Sequence, residues 1–172
     1  ITGDDTSDVK SKTSFHLGAV AEISISEKFS VQPELLYSSQ GAKSEYIETF
    51  EGETFSAKEE IKVDYISIPI MAKYYVGNGF SIEAGPQVSF LTSSKFEYDY
   101  SFGGISESGS EDYKDFTKGI DFGLGFGAGY KMDSGLNFSA RYNLGLSNIN
   151  DDPEDDSNIK NNVFQLSVGY FF

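Results

Sequence analysis

The sequence contains no cysteine and no tryptophan, and only one histidine and four prolines among its 172 residues. Without cysteine there is no disulfide and no thiolate chemistry. A single histidine leaves little material for catalysis of the serine–histidine–acid type. A long apolar run is also missing, since no window approaches the about 20 residues of a membrane-spanning helix. These absences exclude a disulfide framework, a thiol enzyme and a transmembrane helix within these residues.

Glycine and aromatic residues are abundant instead, with 18 Gly, 15 Phe and 11 Tyr. This composition favours strands and turns over helices, and the length suits one domain. Apolar and polar residues alternate with a period of two, the signature of strands with two different faces. The alternation predicts seven strands, within 14–25, 29–40, 63–76, 80–92, 116–130, 136–147 and the last ten residues.

The connections between these strands alternate between short and long. Short turns are predicted at 26–28, 77–79 and 132–135, where the residues tolerate tight hairpins. Long segments occupy 41–61, 96–115 and 148–160, and residues 1–12 lie at the same end. In an up-and-down meander all short turns fall at one end, as do the periplasmic turns of outer-membrane barrels. Two long segments also alternate, so hairpins turning at Glu51-Gly52 and Gly103-Gly104 are expected to extend above the membrane.

Charge follows the same division of the chain. The four long segments hold 20 of the 27 acids and 6 of the 13 bases, a net charge of −14. The remainder holds seven acids and seven bases and sums to zero. The excess negative charge therefore lies at one end, where the simplest interpretation is a solvated surface. Such an end would repel nucleic acid.

Alternation alone does not say which face meets water. A soluble lipocalin-like barrel would point the apolar stripe inward around a ligand. Four glycines on the polar face of one strand favour the reverse, because they weaken an exposed strand but make room inside a narrow barrel. The stripes are also about 25 Å tall, the height of a lipid band. We therefore predict an outer-membrane barrel whose lipid-facing residues include Phe122, Leu124, Phe126, Phe138, Leu144, Phe164, Leu166 and Val168.

The polar face then lines the lumen and carries few charges. One interpretation is a path for protons or ions. The other is a structural network, because an eight-stranded barrel is just wide enough for side chains to fill. The predicted lumen charges are Glu22, Glu34, Lys73, Glu83, Asp121 and Arg141.

Seven strands conflict with the even number found in bacterial single-chain barrels. If the last strand descends to the periplasm, residues 14–25 also descend, and an ascending strand is expected before Ile1. An unpaired edge in hydrocarbon would leave backbone groups unsatisfied. Eight strands are therefore expected in the natural precursor, with seven visible here.

Three segments carry a resemblance to a known family: "FHLGAVAEISISEKFSVQPELLYSSQGAK", "DYISIPIMAKYYVGNGFSIEAGPQVSFL" and "VFQLSVGYFF". They resemble the small outer-membrane β-barrel domain family of Bacteroidota that includes PorT-like proteins, over about 15–172. The resemblance implies a location in the bacterial outer membrane, contact with its lipid and one strand before the visible seven. It also implies that Tyr170 and Phe172 resemble the C-terminal signal read by the barrel assembly machinery.

Chemistry beyond the barrel has little support in the sequence. His16 is expected to be a hydrogen-bonded interior or rim residue rather than a catalytic one, and no cofactor is expected. The acidic run could bind divalent cations weakly, although it lacks EF-hand spacing. We favour a non-enzymatic scaffold that meets a protein partner through acidic, aromatic extracellular hairpins; a narrow channel and a soluble ligand-binding barrel remain alternatives. The acids of that run are Asp151, Asp152, Glu154, Asp155 and Asp156.

Overall fold

A computed structural model describes residues 2–3, 9–50, 53–155 and 157–172, and shows strands joined by turns. No helix in this part of the chain is long and apolar enough to cross a membrane. The strands are β1 Thr2–Gly3, β2 Val9–Ser11, β3 His16–Val20, β4 Ile23–Ser24, β5 Phe29–Phe50, β6 Glu53–Gly77, β7 Phe80–Phe102, β8 Ile105–Asp112, β9 Ile120–Lys131, β10 Leu136–Gly145, β11 Ile159–Lys160 and β12 Val163–Tyr170, and a 3₁₀ turn covers Lys114–Phe116.

The large sheet is an antiparallel meander in the order β12-β10-β9-β7-β6-β5. On the far side of β5, the segments β2, β3 and β4 pair in succession along that one strand. The short strands β1 and β11 pair with each other separately. Because β3 and β4 lie end to end along β5, they count as one strand of the barrel, and the described residues form seven such strands. The predicted all-β, up-and-down antiparallel fold is confirmed.

Tight turns at one end use residues with positive φ, as the sequence suggests. Asn78 (φ 22°) and Gly79 (φ 81°) connect β6 to β7, and Gly135 (φ 90°) precedes β10. At the opposite end Gly103 and Gly104 (φ 55° and 82°) connect β7 to β8. Residues with a side chain rarely adopt such backbone angles, so glycine and asparagine occupy these turns. The expected turn at Glu51-Gly52 lies outside the described residues.

Strands β5, β6 and β7 contain 22, 25 and 23 residues. About 9–11 residues suffice to cross a bilayer, so each of the three strands projects well beyond the barrel on one side. There they form a second region with β2 and β8, which pair with β5 and β7 respectively. We call this region the outer sheet; it comprises Val9–Ser11, 42–50, 53–62, 95–102 and Ile105–Asp112.

A β-bulge in β7 sets the faces of the outer sheet. The pairing with β6 shifts where Asp64 faces Ser93 but Tyr65 faces Leu91, which leaves Thr92 as the extra residue. Before the bulge the odd-numbered residues of β7 face the lumen; after it the even-numbered ones do. Buried Ser89 and buried Ser94 mark the two parities.

The apolar stripe covers the outside of the barrel. Val168 is 70% exposed and Phe122 is 55% exposed, whereas Glu83 and Arg141 are each 5% exposed in the interior. The other predicted lipid-facing residues lie on the same outer face, Leu124 being only partly exposed. This arrangement is the inverse of a soluble ligand-binding barrel, which would bury the apolar stripe.

The two ends of the meander, β3 and β12, face each other. Within the described residues no backbone ladder joins these two strands. A hydrogen bond of 2.8 Å between His16 Nε2 and Ser167 Oγ links them, beside a cleft of about 790 Å³. We call this cleft the seam. It is where the additional strand expected from the parity of strands would lie, and that strand stays a prediction.

Candidate functional sites in the lumen and the outer sheet

The side chain of Arg141 crosses the middle of the lumen. Arg141 on β10 donates from Nη1 and Nη2 to the two carboxylate oxygens of Glu34 on β5, at 2.9 and 2.7 Å. Its Nε donates to Glu83 Oε1 on β7 at 2.9 Å. The planar guanidinium fork suits such bidentate pairing. We call Glu34, Glu83 and Arg141 the Arg141 cluster; it ties three strands together across the bore.

Lys73 joins this cluster through an amide. Its Nζ donates to Gln32 Oε1 at 3.1 Å, and Gln32 Nε2 donates to Glu34 Oε1 at 2.7 Å. Lys73 is 1% exposed and Gln32 is 4% exposed. Two carboxylates therefore meet two cations in the middle of the lumen. Because their formal charges sum to zero, this buried set needs no further counter-ion.

The other two predicted lumen charges lie apart from the Arg141 cluster. Glu22 lies at the end of the barrel with the tight turns, where it accepts hydrogen bonds from Tyr75 and from Lys131 Nζ, the latter at 2.9 Å. Asp121 lies near the opposite end of the lumen and accepts a hydrogen bond from Ser147 Oγ. The six predicted residues therefore form three separate sites rather than one network.

Glycines in β9 make room for the Arg141 cluster. A Cβ on Gly127 would lie 2.5 Å from the carbonyl oxygen of Ala140 and 3.2 Å from Glu83 Oε1. A Cβ on Gly125 would lie 2.8 Å from Asn143 Oδ1. All three distances are shorter than an ordinary van der Waals contact. The glycine run in the sequence therefore marks the part of the wall against which the polar side chains of the lumen pack.

Large apolar side chains also fill the lumen, which the sequence reading missed. Tyr65 and Met71 are fully buried, and Val63 is 1% exposed. All three share the parity of Ser67 and Lys73 on β6. Their odd numbers on β6 could have assigned them to the lumen. They were missed because the other odd-numbered residues considered there, Ser67 and Lys73, are polar.

An aromatic ladder lies on the face of the outer sheet that continues the lumen. It comprises Tyr100, Tyr98, Phe96, Tyr113 and Phe116. Neighbouring ring centroids along it are 5.3, 6.2, 6.2 and 5.0 Å apart. The first three rings follow strand alternation, whereas the last two come from the 3₁₀ turn and its flank. A strand period could not have found them.

Two tyrosines of the ladder are influenced by nearby acids. Tyr100 donates to Glu59 Oε1 at 2.7 Å, and this hydrogen bond raises the pKa of Tyr100. Burial, with the carboxylates of Asp152 and Asp155, raises the pKa of Tyr113. The raised pKa values keep the hydroxyl groups of Tyr100 and Tyr113 protonated at neutral pH.

The acidic loop before β11 uses its carboxylates locally. Asp152 Oδ1 accepts the backbone N–H of Glu154, and Asp155 Oδ1 accepts that of Ser157, both at 2.9 Å. The latter bond lowers the pKa of Asp155. Among the described residues, no three His, Asp or Glu side chains converge as metal ligands. The predicted weak binding of divalent cations thus gains no support, and Asp156 lies outside the described residues.

His16 contacts a serine, but the described residues supply no third member of a catalytic triad. Its Nε2 lies 2.8 Å from Ser167 Oγ. In the described part of the chain no carboxylate hydrogen-bonds to the other ring nitrogen, which in a triad orients the imidazole. The pair links the two sides of the seam.

Antiparallel walls, an apolar outside and a charged, filled inside define an outer-membrane β-barrel. Comparison with known families places it: residues 1–151 match the family of outer membrane protein β-barrel domains. The chain therefore belongs to this family and lies in the bacterial outer membrane. No curated protein and no solved structure matches the chain.

Proposed function

We propose that this protein is a non-enzymatic scaffold of the outer membrane, and within its family a PorT-like barrel of Bacteroidota. Its lumen is filled, and its outer sheet presents a binding surface to a partner protein. The observation that carries the proposal is the Arg141 cluster, which spans the bore between β10, β5 and β7.

The charges in the lumen favour a structural role over conduction. A conducting pore needs sites that an ion enters and leaves readily. Here the carboxylates of Glu34 and Glu83 are already engaged by Arg141, and Tyr65 and Met71 occupy the bore beyond them. Breaking such a buried pair is costly because it leaves an uncompensated charge. The same contacts that hold the strands together thus obstruct the passage.

The outer sheet favours a binding role. Tyrosine and phenylalanine are enriched in protein interfaces because they offer large, rigid contact surfaces. The aromatic ladder places five such rings on one face. Within the described residues, β8 pairs only with β7. Its other edge can accept an added strand from a partner.

The C-terminus suits assembly into the membrane. Tyr170 and Phe172 make an edge-to-face contact at 5.2 Å, and both rings are exposed. We propose that the barrel assembly machinery reads these aromatic residues during insertion.

Planar-bilayer conductance tests the filled lumen. We expect the purified wild-type protein to show no current steps. A quadruple variant, Glu34→Ser, Lys73→Ser, Glu83→Ser and Arg141→Ser, removes both carboxylates and both cations and serves as the widened control. Current steps from the wild-type protein would refute the filled lumen. They would instead support the alternative of a narrow channel, which the 790 Å³ seam reaching Arg141 favours.

Site-specific photo-crosslinking in cells tests the partner surface. A photoreactive residue at Tyr98 lies on the face of the aromatic ladder, whereas one at Asp99 lies on the opposite face of the same strand. We expect a discrete protein adduct from position 98 and none from position 99. Equal labelling at both positions, or none at position 98, would contradict a partner surface on this face.

A further inference from the structure

Strand β8 carries a free edge of the outer sheet. It pairs with β7 from Lys95 and Asp112 to Phe102 and Ile105, and within the described residues its other side pairs with no strand. Its residues are exposed except for half-buried Gly109. The backbone N–H and C=O groups along the free side are a template for another extended segment. A segment of a partner can therefore continue the sheet at β8.

The two faces of the outer sheet differ in charge. Among the described residues, the face that continues the lumen, which we call the inner face, carries five acids and no base: Glu48, Glu53, Glu59, Glu107 and Glu111. The opposite face carries five bases and five acids: Lys10, Lys43, Lys58, Lys62 and Lys95 with Glu45, Glu60, Glu97, Asp99 and Asp112. The opposite face therefore sums to zero, whereas a segment on the inner face gains from positive charge.

The two glutamates of β8 have no cation of their own. Among the described residues, no lysine or arginine nitrogen lies within 4.0 Å of Glu107 or Glu111, and this includes Lys114 just beyond the end of β8. Farther in on the same face, Glu59 accepts a hydrogen bond from the uncharged hydroxyl of Tyr100 at 2.7 Å. The negative charge along this edge is therefore available to a cation from another molecule.

Gly109 lies between the two glutamates, and the ring of Tyr98 occupies the space beside it. Tyr98 and Gly109 are register partners on β7 and β8. A Cβ on Gly109 would lie 2.5 Å from Tyr98 Oη and 2.6 Å from its Cζ, so the phenol reaches across to β8. Tyrosine rings attract cations, arginine above all. A basic side chain opposite Gly109 would thus meet an aromatic ring between two carboxylates.

We propose that the partner of the outer sheet binds through an extended, basic segment that adds to the free edge of β8. This inference rests on the proposed function, because it names the chemistry of the partner that the outer sheet binds. In an added strand, the side chains at positions i, i+2 and i+4 lie on one face. Lysine or arginine at i and i+4 lies opposite Glu107 and Glu111, and arginine at i+2 lies beside Tyr98.

The same charges disfavour a second copy of this chain as the occupant. Antiparallel pairing of two β8 strands about Gly109 would place Glu107 of each copy opposite Glu111 of the other. Like charges directly opposite each other destabilise a pair of strands, whereas opposite charges stabilise it. The edge therefore selects a basic partner segment over its own copy.

Fluorescence anisotropy of labelled peptides, with the purified full chain in neutral detergent, tests this inference. The probe is a blocked seven-residue peptide of threonine and arginine in alternation, with arginine at the second, fourth and sixth positions. A second peptide of the same composition has its three arginines in succession, so they cannot all lie on one face of a strand. A third has glutamine in place of arginine. We expect the alternating peptide to bind about threefold more tightly than the second and about tenfold more tightly than the third.

A pair of double variants locates the binding. Glu107→Gln with Glu111→Gln should weaken binding of the alternating peptide about three- to tenfold, because two cross-strand pairs are lost. The matched control, Glu97→Gln with Asp99→Asn, removes the same charge from the opposite face of β7 and should bind within twofold of the wild type. An equal loss in the two variants would overturn the inference.

The peptide comparison on wild-type protein needs no variant to fold. Equal binding of the alternating and successive peptides would overturn the inference, and so would equal binding of the glutamine peptide. Photo-crosslinking at position 98 tests the proposed function separately. An adduct in cells without any peptide preference would support a partner surface but overturn the basic segment. A peptide preference without an adduct would support the chemistry of the edge but contradict a partner protein in cells.

Discussion

Ion pairs in the lumen and ion pairs on the outer sheet use the same chemistry in different surroundings. Arg141 and Glu34 lie 2.7 Å apart, with side chains 6% and 4% exposed. Lys10 and Glu45 lie 3.8 Å apart, with side chains 58% and 41% exposed. Water and salt screen the second pair, whereas removing one partner of the first leaves a bare charge in a dry interior. The number of ion pairs therefore says little about stability until burial is known.

The largest effect on stability is expected from removing Arg141 from the Arg141 cluster. Arg141→Met leaves two buried carboxylates, Glu34 and Glu83, against one buried cation, Lys73, so the free energy of unfolding should fall by about 3–5 kcal/mol. Urea unfolding of the protein in lipid vesicles, followed by far-ultraviolet circular dichroism, measures it. Adding Glu34→Gln should restore part of the loss because the two remaining charges, Lys73 and Glu83, are cross-strand partners and sum to zero. A loss below about 1 kcal/mol in the single variant would contradict the contrast.

A smaller effect on stability is expected from adding a side chain between two neighbouring strands. A Cβ on Gly85 would lie 2.0 Å from the carbonyl oxygen of Ile70 in the neighbouring strand. Gly85→Ala must push β7 away from β6, and should cost about 1–3 kcal/mol. Gly169→Ala is the matched control, because nothing lies within 4 Å of its added Cβ. The same urea experiment compares the two variants. Equal stability would show that β6 and β7 separate enough to accept the added Cβ at no cost.

The outer sheet should respond to pH rather than to packing. Partial burial acts to raise the pKa of Glu60, but the hydrogen bond from Lys12 and the nearby Lys62 and Lys43 lower it below 4.5. Its contribution to stability is therefore present above about pH 4.5 and is lost as the pH falls through the lower, folded-state pKa. Because the pair is partly exposed, the contribution should stay below about 1 kcal/mol.

Urea unfolding at several pH values between neutrality and pH 3 measures this contribution. Glu60→Gln should flatten the acid side of the stability profile, and Lys12→Gln should flatten it less, because Lys62 and Lys43 still lie near Glu60 in that variant. A profile unchanged by both substitutions would mean that their ion pair, at 3.0 Å, contributes nothing to stability.

The smallest effect is expected at the exposed pair. Lys10→Gln should change the free energy of unfolding by less than about 0.5 kcal/mol, and the difference should vanish in high salt. Comparison with wild-type protein in low and high salt measures it. A loss of several kcal/mol here would show that exposure does not separate the two regions.

The local pattern predicted much of the fold. Alternation identified the walls, and glycine-rich turns identified the hairpins at 77–79 and 132–135. The bulge at Thr92 could not be predicted, because it depends on pairing with β6. That single residue decides that Phe96 and Tyr98 face the same side as the lumen. Similarly, Tyr113 joins the ladder only because the 3₁₀ turn folds it back against Phe96.

The sequence by itself determined that this chain has an oily face, a polar face and one strongly acidic end. These properties depend only on residue type and on a period of two, which every strand obeys wherever it lies. The tertiary structure alone decided that Arg141 meets Glu34 and Glu83, while Glu22 and Asp121 find other partners. Those contacts join residues up to 109 positions apart, and they exist only because the curl and stagger of the sheet bring particular residues to the same height in the lumen.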